Sequence, residues 1–248
     1  MSSVQYLRNA TALVCRTQRT TASASLAARL RPAPLPARTL AHIHKRTMAS
    51  AQFFEAIKKR RTYYVLTNAS PVPDARIEGI VKDAVLHVPS SFNSQTSRVV
   101  VLLRTDHARL WDITAESLKP VAPAAQWPTT VKKLESFKAA YGTILYFEDE
   151  DAVRGLQKQF PLYQDSFPIW AEHTNGMIQF AIWTAFELEG LGASLQHYNP
   201  LIDQKVKAEW NIPATWKLIA EMPFGTPGAP AGDKQFNPID DRVKVYGK

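Results

Sequence analysis

The stretch that decides the fold is IWAEHTNGMIQFAIWTAFELE, residues 169–189. Its apolar side chains cover nearly the whole circumference of a helix, a pattern typical of a helix that is buried on all sides. Gly190 follows directly and is well placed to end it. In a chain of 248 residues, we therefore expect a central helix, in the core or at a subunit interface.

Shorter elements on both sides of this helix indicate a mixed α+β domain. The periodicity of apolar residues and the β-branched runs decide between helix and strand. Helices are predicted over 51–61, 74–86, 105–118, 129–140, 149–159 and 201–210, and strands over 97–104, 142–147, 192–198 and 215–225. A Gly- and Pro-rich extended tail is expected over 225–241. This gives six or seven helices and four or five strands.

The net charge of +8 belongs to one segment. Residues 1–47 contain eight basic side chains and no acid, which leaves 22 basic and 22 acidic groups in residues 48–248. A neutral body does not indicate a nucleic-acid partner, although the whole-chain charge would.

The basic segment, residues 1–47, is rich in Arg, Ala, Ser and Thr, which is typical of a mitochondrial presequence. The alternative is translated upstream sequence before a start at Met48, which predicts a cytoplasmic or nuclear protein. Both interpretations predict a disordered leader over 1–47 and a folded domain over 48–248.

Several classes of site are excluded by residue type. Cys15 is the only cysteine and lies in the leader, so the body has no thiol nucleophile or thiolate ligand. Its histidines lack metal-ligand spacing, so we expect no metal. The longest aliphatic run, Val99–Leu103, is too short to span a membrane. GLGASL (190–195) follows a helix and precedes a strand, the reverse of a dinucleotide-binding loop.

Three polar motifs remain. KKRRT (58–62) ends the first helix; it is either a solvated basic helix end or a phosphate clamp made by Arg60, Arg61 and Thr62. Arg242 and Lys244 would complete the clamp if the tail returns to this helix.

The second motif, PSSFNSQ (89–95), is either an ordinary polar loop or one whose hydroxyl and amide groups bind heterocycle edges and ribityl hydroxyls. The third motif is LQHY (195–198), at the end of the strand that follows the long helix.

These three motifs, in this order, resemble the nitroreductase family of flavoproteins. The resemblance runs from Phe53 to Lys248 and is closest to the fungal subgroup named for fatty-acid repression mutants. It implies a nitroreductase-like α+β fold: a mostly antiparallel sheet of four or five strands, surrounded by helices, with a long buried central helix, in a domain-entwined homodimer.

The resemblance also implies an activity. The chain would use FMN and NADH or NADPH to reduce nitroaromatics, quinones or related electrophiles by a ping-pong, two-electron mechanism, in oxidative or xenobiotic stress response. Its partners would be a second copy and a small-molecule acceptor, with no nucleic acid and no membrane. The alternative is a flavin-binding sensor with little turnover.

The resemblance assigns FMN binding to Arg60, Arg61, Thr62, Tyr64, Pro89, Ser90, Ser91, Asn93, Gln95, Leu195, Gln196, His197, Arg242 and Lys244. Backbone N–H groups near Gln196 and His197 would donate to the flavin. No catalytic side chain is required because the flavin carries the chemistry. His197 is a candidate general acid or holds a local hydrogen bond; Tyr64 and Tyr198 are stacking walls or packing residues.

Three places depart from the family pattern. Tyr64 stands where many members have a basic residue, and Thr96 where classic members often have proline. Gln196-His197 stands where many members have an acidic or glycine-containing pair. The acceptor and the choice between NADH and NADPH therefore stay open.

Overall fold

The structure, a computed structural model, describes residues 50–248. The predicted leader, residues 1–47, and the alternative start at Met48 lie outside the described residues.

The described chain alternates between helices and strands. The helices are α1 (50–59), α2 (Asp74–His87), α3 (Arg104–Leu118), α4 (Trp127–Lys138), α5 (Glu150–Gln159), α6 (Phe167–Leu188) and α7 (Asp203–Glu209). The strands are β1 (Leu66–Thr67), β2 (Ser97–Leu103), β3 (Gly142–Asp149), β4 (Gly192–Ala193) and β5 (Trp216–Pro227). Short 3₁₀ turns cover Ser91–Asn93 and Pro161–Tyr163.

The strands form one open sheet in the order β1-β5-β3-β2, and β4 also pairs with β5. All four pairings between named strands are antiparallel. The predicted α+β class with a mostly antiparallel sheet is therefore confirmed.

Helices cover both faces of the sheet. Side chains of β3 alternate between the two faces, as a pleated strand requires. Ile144 and Tyr146 join a core cluster with residues of α2 and α6. Leu145 and Phe147 join a second cluster with residues of α3, α4 and α7.

The long helix is central, as predicted, and ends at Leu188, two residues before Gly190, which has a φ of +81°. Ile178, Ile182 and Phe186 lie in the core beside β3 and β5. The opposite side of α6 is not covered by the described chain: Ile169, Met177, Phe180 and Leu188 are 38% to 63% exposed. A single chain therefore buries one side of α6, whereas the sequence predicted burial on all sides.

The predicted strand over 192–198 is wrong in extent. β4 ends at Ala193, and only an isolated bridge joins Gln196 to Glu221 further along. Pro223 of β5 lies between these pairings; it accepts a hydrogen bond from Ser194 but has no N–H to return. The continuous ladder is therefore interrupted.

Within residues 50–248, no helix has both the length and the apolar character needed to span a membrane.

Candidate functional site

A cavity of about 290 Å³ opens beside the end of α1. It brings together three of the residues predicted to bind FMN, Arg60, Thr62 and Leu195, from separate segments of the chain. α6 forms the opposite wall. The lining residues are Arg60, Thr62, Gly176, Gln179, Phe180, Trp183 and Leu195.

Trp183 of α6 positions the basic segment. The guanidinium carbon of Arg60 lies 4.4 Å from the centroid of the Trp183 ring, a cation–π contact. The indole Nε1 of Trp183 donates to the carbonyl of Arg61 at 3.2 Å. Burial lowers the pKa of Arg60, while nearby Glu187 raises it. The guanidinium remains charged, so the cavity is lined by a positive charge at a fixed position.

Arg61 is directed away from this cavity. Its guanidinium donates to the carbonyl of Gly232 in the tail. Next to it, the Tyr63 hydroxyl donates to Glu187 at 3.1 Å, and the Tyr63 N–H donates to Ala193 at 3.1 Å. Hydrogen bonds thus hold Tyr63 against α6 and β4, and the tail contacts Arg61.

Arg242 and Lys244 do not line the cavity, and both are exposed. Their hydrogen bonds are local: the Arg242 N–H donates to the backbone carbonyl of Ile239 at 2.9 Å, and the Lys244 ammonium donates to the backbone carbonyl of Asp240 at 2.6 Å. Their role in completing the clamp stays a prediction.

The loop 89–95 lies on the other side of α6. Ser90 and Gln95 line a groove of about 560 Å³ together with Thr174 and Ile178 of α6. At 100° per residue, Thr174 and Ile178 project on the side of the helix opposite to Gly176 and Trp183. The two predicted halves of the site therefore occupy separate hollows in one chain.

The backbone of this loop is strained. Phe92, Asn93 and Gln95 have φ values of 59°, 52° and 50°, a region that costs side-chain-bearing residues energy and that clusters at functional sites. The Ser90 hydroxyl closes the loop by accepting the Gln95 N–H at 3.0 Å. The Phe92 ring packs at 5.1 to 6.0 Å against Phe160, Tyr163, Phe167 and Trp170.

The length of α6 separates the two halves. Phe92 packs on Trp170 near the start of the helix, and Arg60 packs on Trp183 near its end. Thirteen helical residues correspond to about 20 Å. One chain does not bring the clamp and the loop together.

The third motif is fixed by β5. The Gln196 N–H donates to the carbonyl of Glu221 at 2.7 Å, and the Glu221 N–H donates back at 3.0 Å. Strand pairing therefore occupies the Gln196 N–H, which leaves the neighbouring His197 N–H as a candidate donor to a flavin. That a backbone N–H of this segment donates to the flavin stays a prediction. His197 is exposed, and within residues 50–248 neither its ring nor its N–H forms a hydrogen bond. Its role as a general acid stays a prediction.

The two tyrosines differ from each other. Tyr198 packs edge-on against Trp111 with ring centroids 5.9 Å apart, which favours the packing interpretation. Tyr64 is 61% exposed and does not line the cavity.

A buried carboxyl group lies behind the 195–198 segment. Glu221 accepts the Tyr198 N–H at 2.9 Å through one oxygen, and its other oxygen has no partner in the described structure. Burial raises the pKa of Glu221 to about 8, opposed by the Tyr198 N–H and reinforced by the charge of Asp203. Glu221 is therefore largely protonated at neutral pH and supports the segment without adding charge.

Sequence reasoning missed three residues of the cavity end: Trp183, Glu187 and Gln179. Trp183 was indistinguishable from the other apolar residues of α6. Asn175 and Gln179 did carry a signal, because two buried amides four residues apart are unusual in an apolar helix.

The donor set fits a phosphate-bearing cofactor in part. A charged guanidinium and a hydroxyl suit a phosphate, and the bare backbone at Gly176 faces open space. The cavity of about 290 Å³ lies just below the range of about 300–1,000 Å³ for ligand pockets. One chain therefore supplies part of a pocket. No group of three His, Cys, Asp or Glu residues in the described chain could hold a metal ion.

Residues 57–226 match the Nitroreductase family. The nitroreductase FRM2 of Saccharomyces cerevisiae is 34% identical over 199 residues, which cover 79% of this chain and 98% of that protein. A second yeast protein, HBN1, matches at 34% over 200 residues, 80% of this chain and 98% of its own length.

Among solved structures, the nitroreductase CinD from Lactococcus lactis in complex with nicotinic acid is 45% identical with a TM-score of 0.73. The match covers 79% of this chain and 100% of CinD. The same enzyme in complex with 4-nitrophenol matches at 43% identity with the same TM-score of 0.73 and the same coverage.

Proposed function

The chain belongs to the nitroreductase family, and from this premise we propose that it is an FMN-dependent oxidoreductase. The proposed electron donor is NADH or NADPH. The proposed acceptors are nitroaromatics, quinones or related electrophiles. One solved structure of CinD is a complex with 4-nitrophenol, which supports a flat aromatic acceptor.

The observation that carries this proposal is the cavity that unites Arg60, Thr62 and Leu195. Arg60 and Thr62 would hold the phosphate of FMN, and Leu195 would border the flavin. FMN, when bound, supplies the hydride and electron transfer from NAD(P)H to the acceptor. The residues of the chain bind and orient the cofactor and exclude water from its surroundings.

The remaining half of the site is proposed to come from a second copy. Ile169, Met177, Phe180 and Leu188 project from α6 within an arc of about 100° and are exposed in the single chain. An apolar stripe of this kind marks an interface. If two copies pack their α6 helices antiparallel about a two-fold axis, the loop 89–95 of one copy reaches the clamp of the other.

The composite arrangement explains why the two hollows lie on opposite sides of α6 in one chain. In the proposed homodimer, each FMN would contact Arg60 and Thr62 of one protomer and the Ser90 and Gln95 loop of its partner. The polar groups of the loop would then face the flavin instead of solvent.

The proposal is tested on the purified full-length chain after saturation with FMN and removal of free flavin. We expect a bound flavin spectrum that bleaches anaerobically on addition of NADPH or NADH and returns on addition of 4-nitrophenol. A protein that retains no FMN would contradict cofactor binding. A bound flavin that neither nucleotide reduces would contradict the oxidoreductase assignment and favour a flavin sensor.

A further inference from the structure

Two buried amides connect the centre of the molecule to the cavity at Arg60. Asn175 and Gln179 of α6 are 1% and 8% exposed. Asn175 Nδ2 donates to the carbonyl of Phe147 at 3.0 Å and to Glu148 Oε1 at 2.8 Å. Gln179 Nε2 donates to Asn175 Oδ1 at 2.8 Å.

This network fixes the orientation of the Gln179 amide. The carbonyl of Phe147 can only accept, so the amide nitrogen of Asn175 must face it and the oxygen of Asn175 must face Gln179. Gln179 therefore directs one N–H towards Asn175. Its Oε1 and its second N–H form no hydrogen bond within residues 50–248, and the residue lines the cavity.

An amide that offers one acceptor and one donor is complementary to a hydroxyl group, which donates and accepts at once. Gln179 precedes Trp183 by four residues, about 6 Å along the helix. Trp183 holds Arg60, so Gln179 lies about one helical turn from the phosphate clamp. The cavity continues beyond it, since nothing lies within 4 Å of the Cβ position of Gly176.

We propose that Gln179 binds a hydroxyl of the ribityl chain that joins the phosphate of FMN to its ring. The inference rests on the proposed function, because it takes FMN as the ligand of the cavity. It assigns a specific contact to a residue that lies outside all three motifs of the sequence.

The test is a titration of the full-length apoprotein with FMN and with riboflavin, which has the same ribityl chain and no phosphate. Gln179→Met keeps the side-chain length and removes both polar groups. We expect the Kd for FMN to rise about tenfold, the effect of one or two lost hydrogen bonds, and the Kd for riboflavin to rise by the same factor. Thr184→Val, which removes a buried hydroxyl of α6 that has no partner in the described structure, should leave both values unchanged.

A Kd for FMN within twofold of wild type in Gln179→Met would overturn the inference. A loss confined to FMN would also overturn it, because Gln179 would then act on the phosphate. If Gln179→Met does not fold, Gln179→Glu takes its place; its carboxylate should weaken FMN binding more than tenfold, and an unchanged Kd would again contradict the contact. Absence of FMN binding by the wild-type protein would instead refute the proposed function.

Discussion

At the C-terminal end of α6, Arg60 packs on Trp183 and adjoining segments are fixed by hydrogen bonds. At the N-terminal end, the loop 89–95 holds three residues at positive φ against a cluster of aromatic rings. We call these the clamp end and the loop end. The clamp end is ordered by polar contacts, whereas the loop end stores backbone strain that packing must offset. Substitutions in the clamp should therefore mainly weaken FMN binding. Substitutions in the loop should change both the free energy of unfolding and FMN binding.

The largest expected effect concerns the buried carboxyl group behind the clamp end. The folded-state pKa of Glu221, about 8, lies above its ordinary value of 4.5. Between these values the unfolded chain releases a proton that the folded chain retains. The free energy of unfolding contributed by this group therefore falls as pH rises from about 4.5 to about 8, by at most about 5 kcal/mol.

Glu221→Gln should remove this dependence, because an amide does not titrate. The free energy of unfolding, measured in urea at pH 6 and pH 8.5, should fall less in the variant than in wild type. The variant should therefore be more stable relative to wild type at pH 8.5 than at pH 6. Glu172→Gln, at an exposed position, is the matched control. An equal pH dependence in Glu221→Gln and wild type would show that Glu221 ionises normally.

The second effect separates binding from stability at the clamp end. Arg60→Ala should weaken FMN binding by about 1.5–3 kcal/mol, the contribution of a charge-assisted hydrogen bond. The loss corresponds to a Kd about 10- to 150-fold higher. Arg76→Ala, which removes a surface ion pair with Glu189, should leave the Kd unchanged. Comparable FMN titrations of the two variants would mean that Arg60 is only a charged helix end.

A smaller effect is expected from Gln95→Gly at the loop end. Glycine adopts the φ of 50° at this position without steric cost, so the free energy of unfolding should rise by about 0.5–1 kcal/mol. FMN binding should weaken, because the side chain that faces the groove is lost. Thermal unfolding and FMN titration of one preparation measure both quantities. A loss of stability would show that the loop is unstrained.

Much of the structure at the two ends of α6 could be predicted from the sequence. The apolar pattern of 169–189 and the terminator Gly190 predicted α6, and two of the three motifs contain the cavity residues Arg60, Thr62 and Leu195, which the resemblance assigned to FMN. Periodicity could not reveal the strain at Phe92, because its ring packs against aromatic residues about seventy positions away. The interruption of the strand after Ala193 likewise depends on Pro223, which lies thirty residues further along the chain.

The pairing of Trp183 with Arg60 could not be predicted for the same reason. It joins residues more than a hundred positions apart, and nothing in the local sequence distinguishes this tryptophan from its apolar neighbours. The amides of Asn175 and Gln179 were visible as polar interruptions of α6, but their hydrogen-bond directions required the carbonyl of Phe147.

In the proposed homodimer, one FMN site needs the clamp end of one chain and the loop end of another. A direct measurement co-expresses two tagged copies, one with Arg60→Ala and Arg61→Ala, the other with Ser90→Ala and Gln95→Gly. Each copy alone should form homodimers without a tight FMN site. The heterodimer purified through both tags should bind one FMN tightly per two chains, because one of its sites combines two intact halves. A heterodimer without a tight site would contradict the composite site and place clamp and loop in the same chain's pocket.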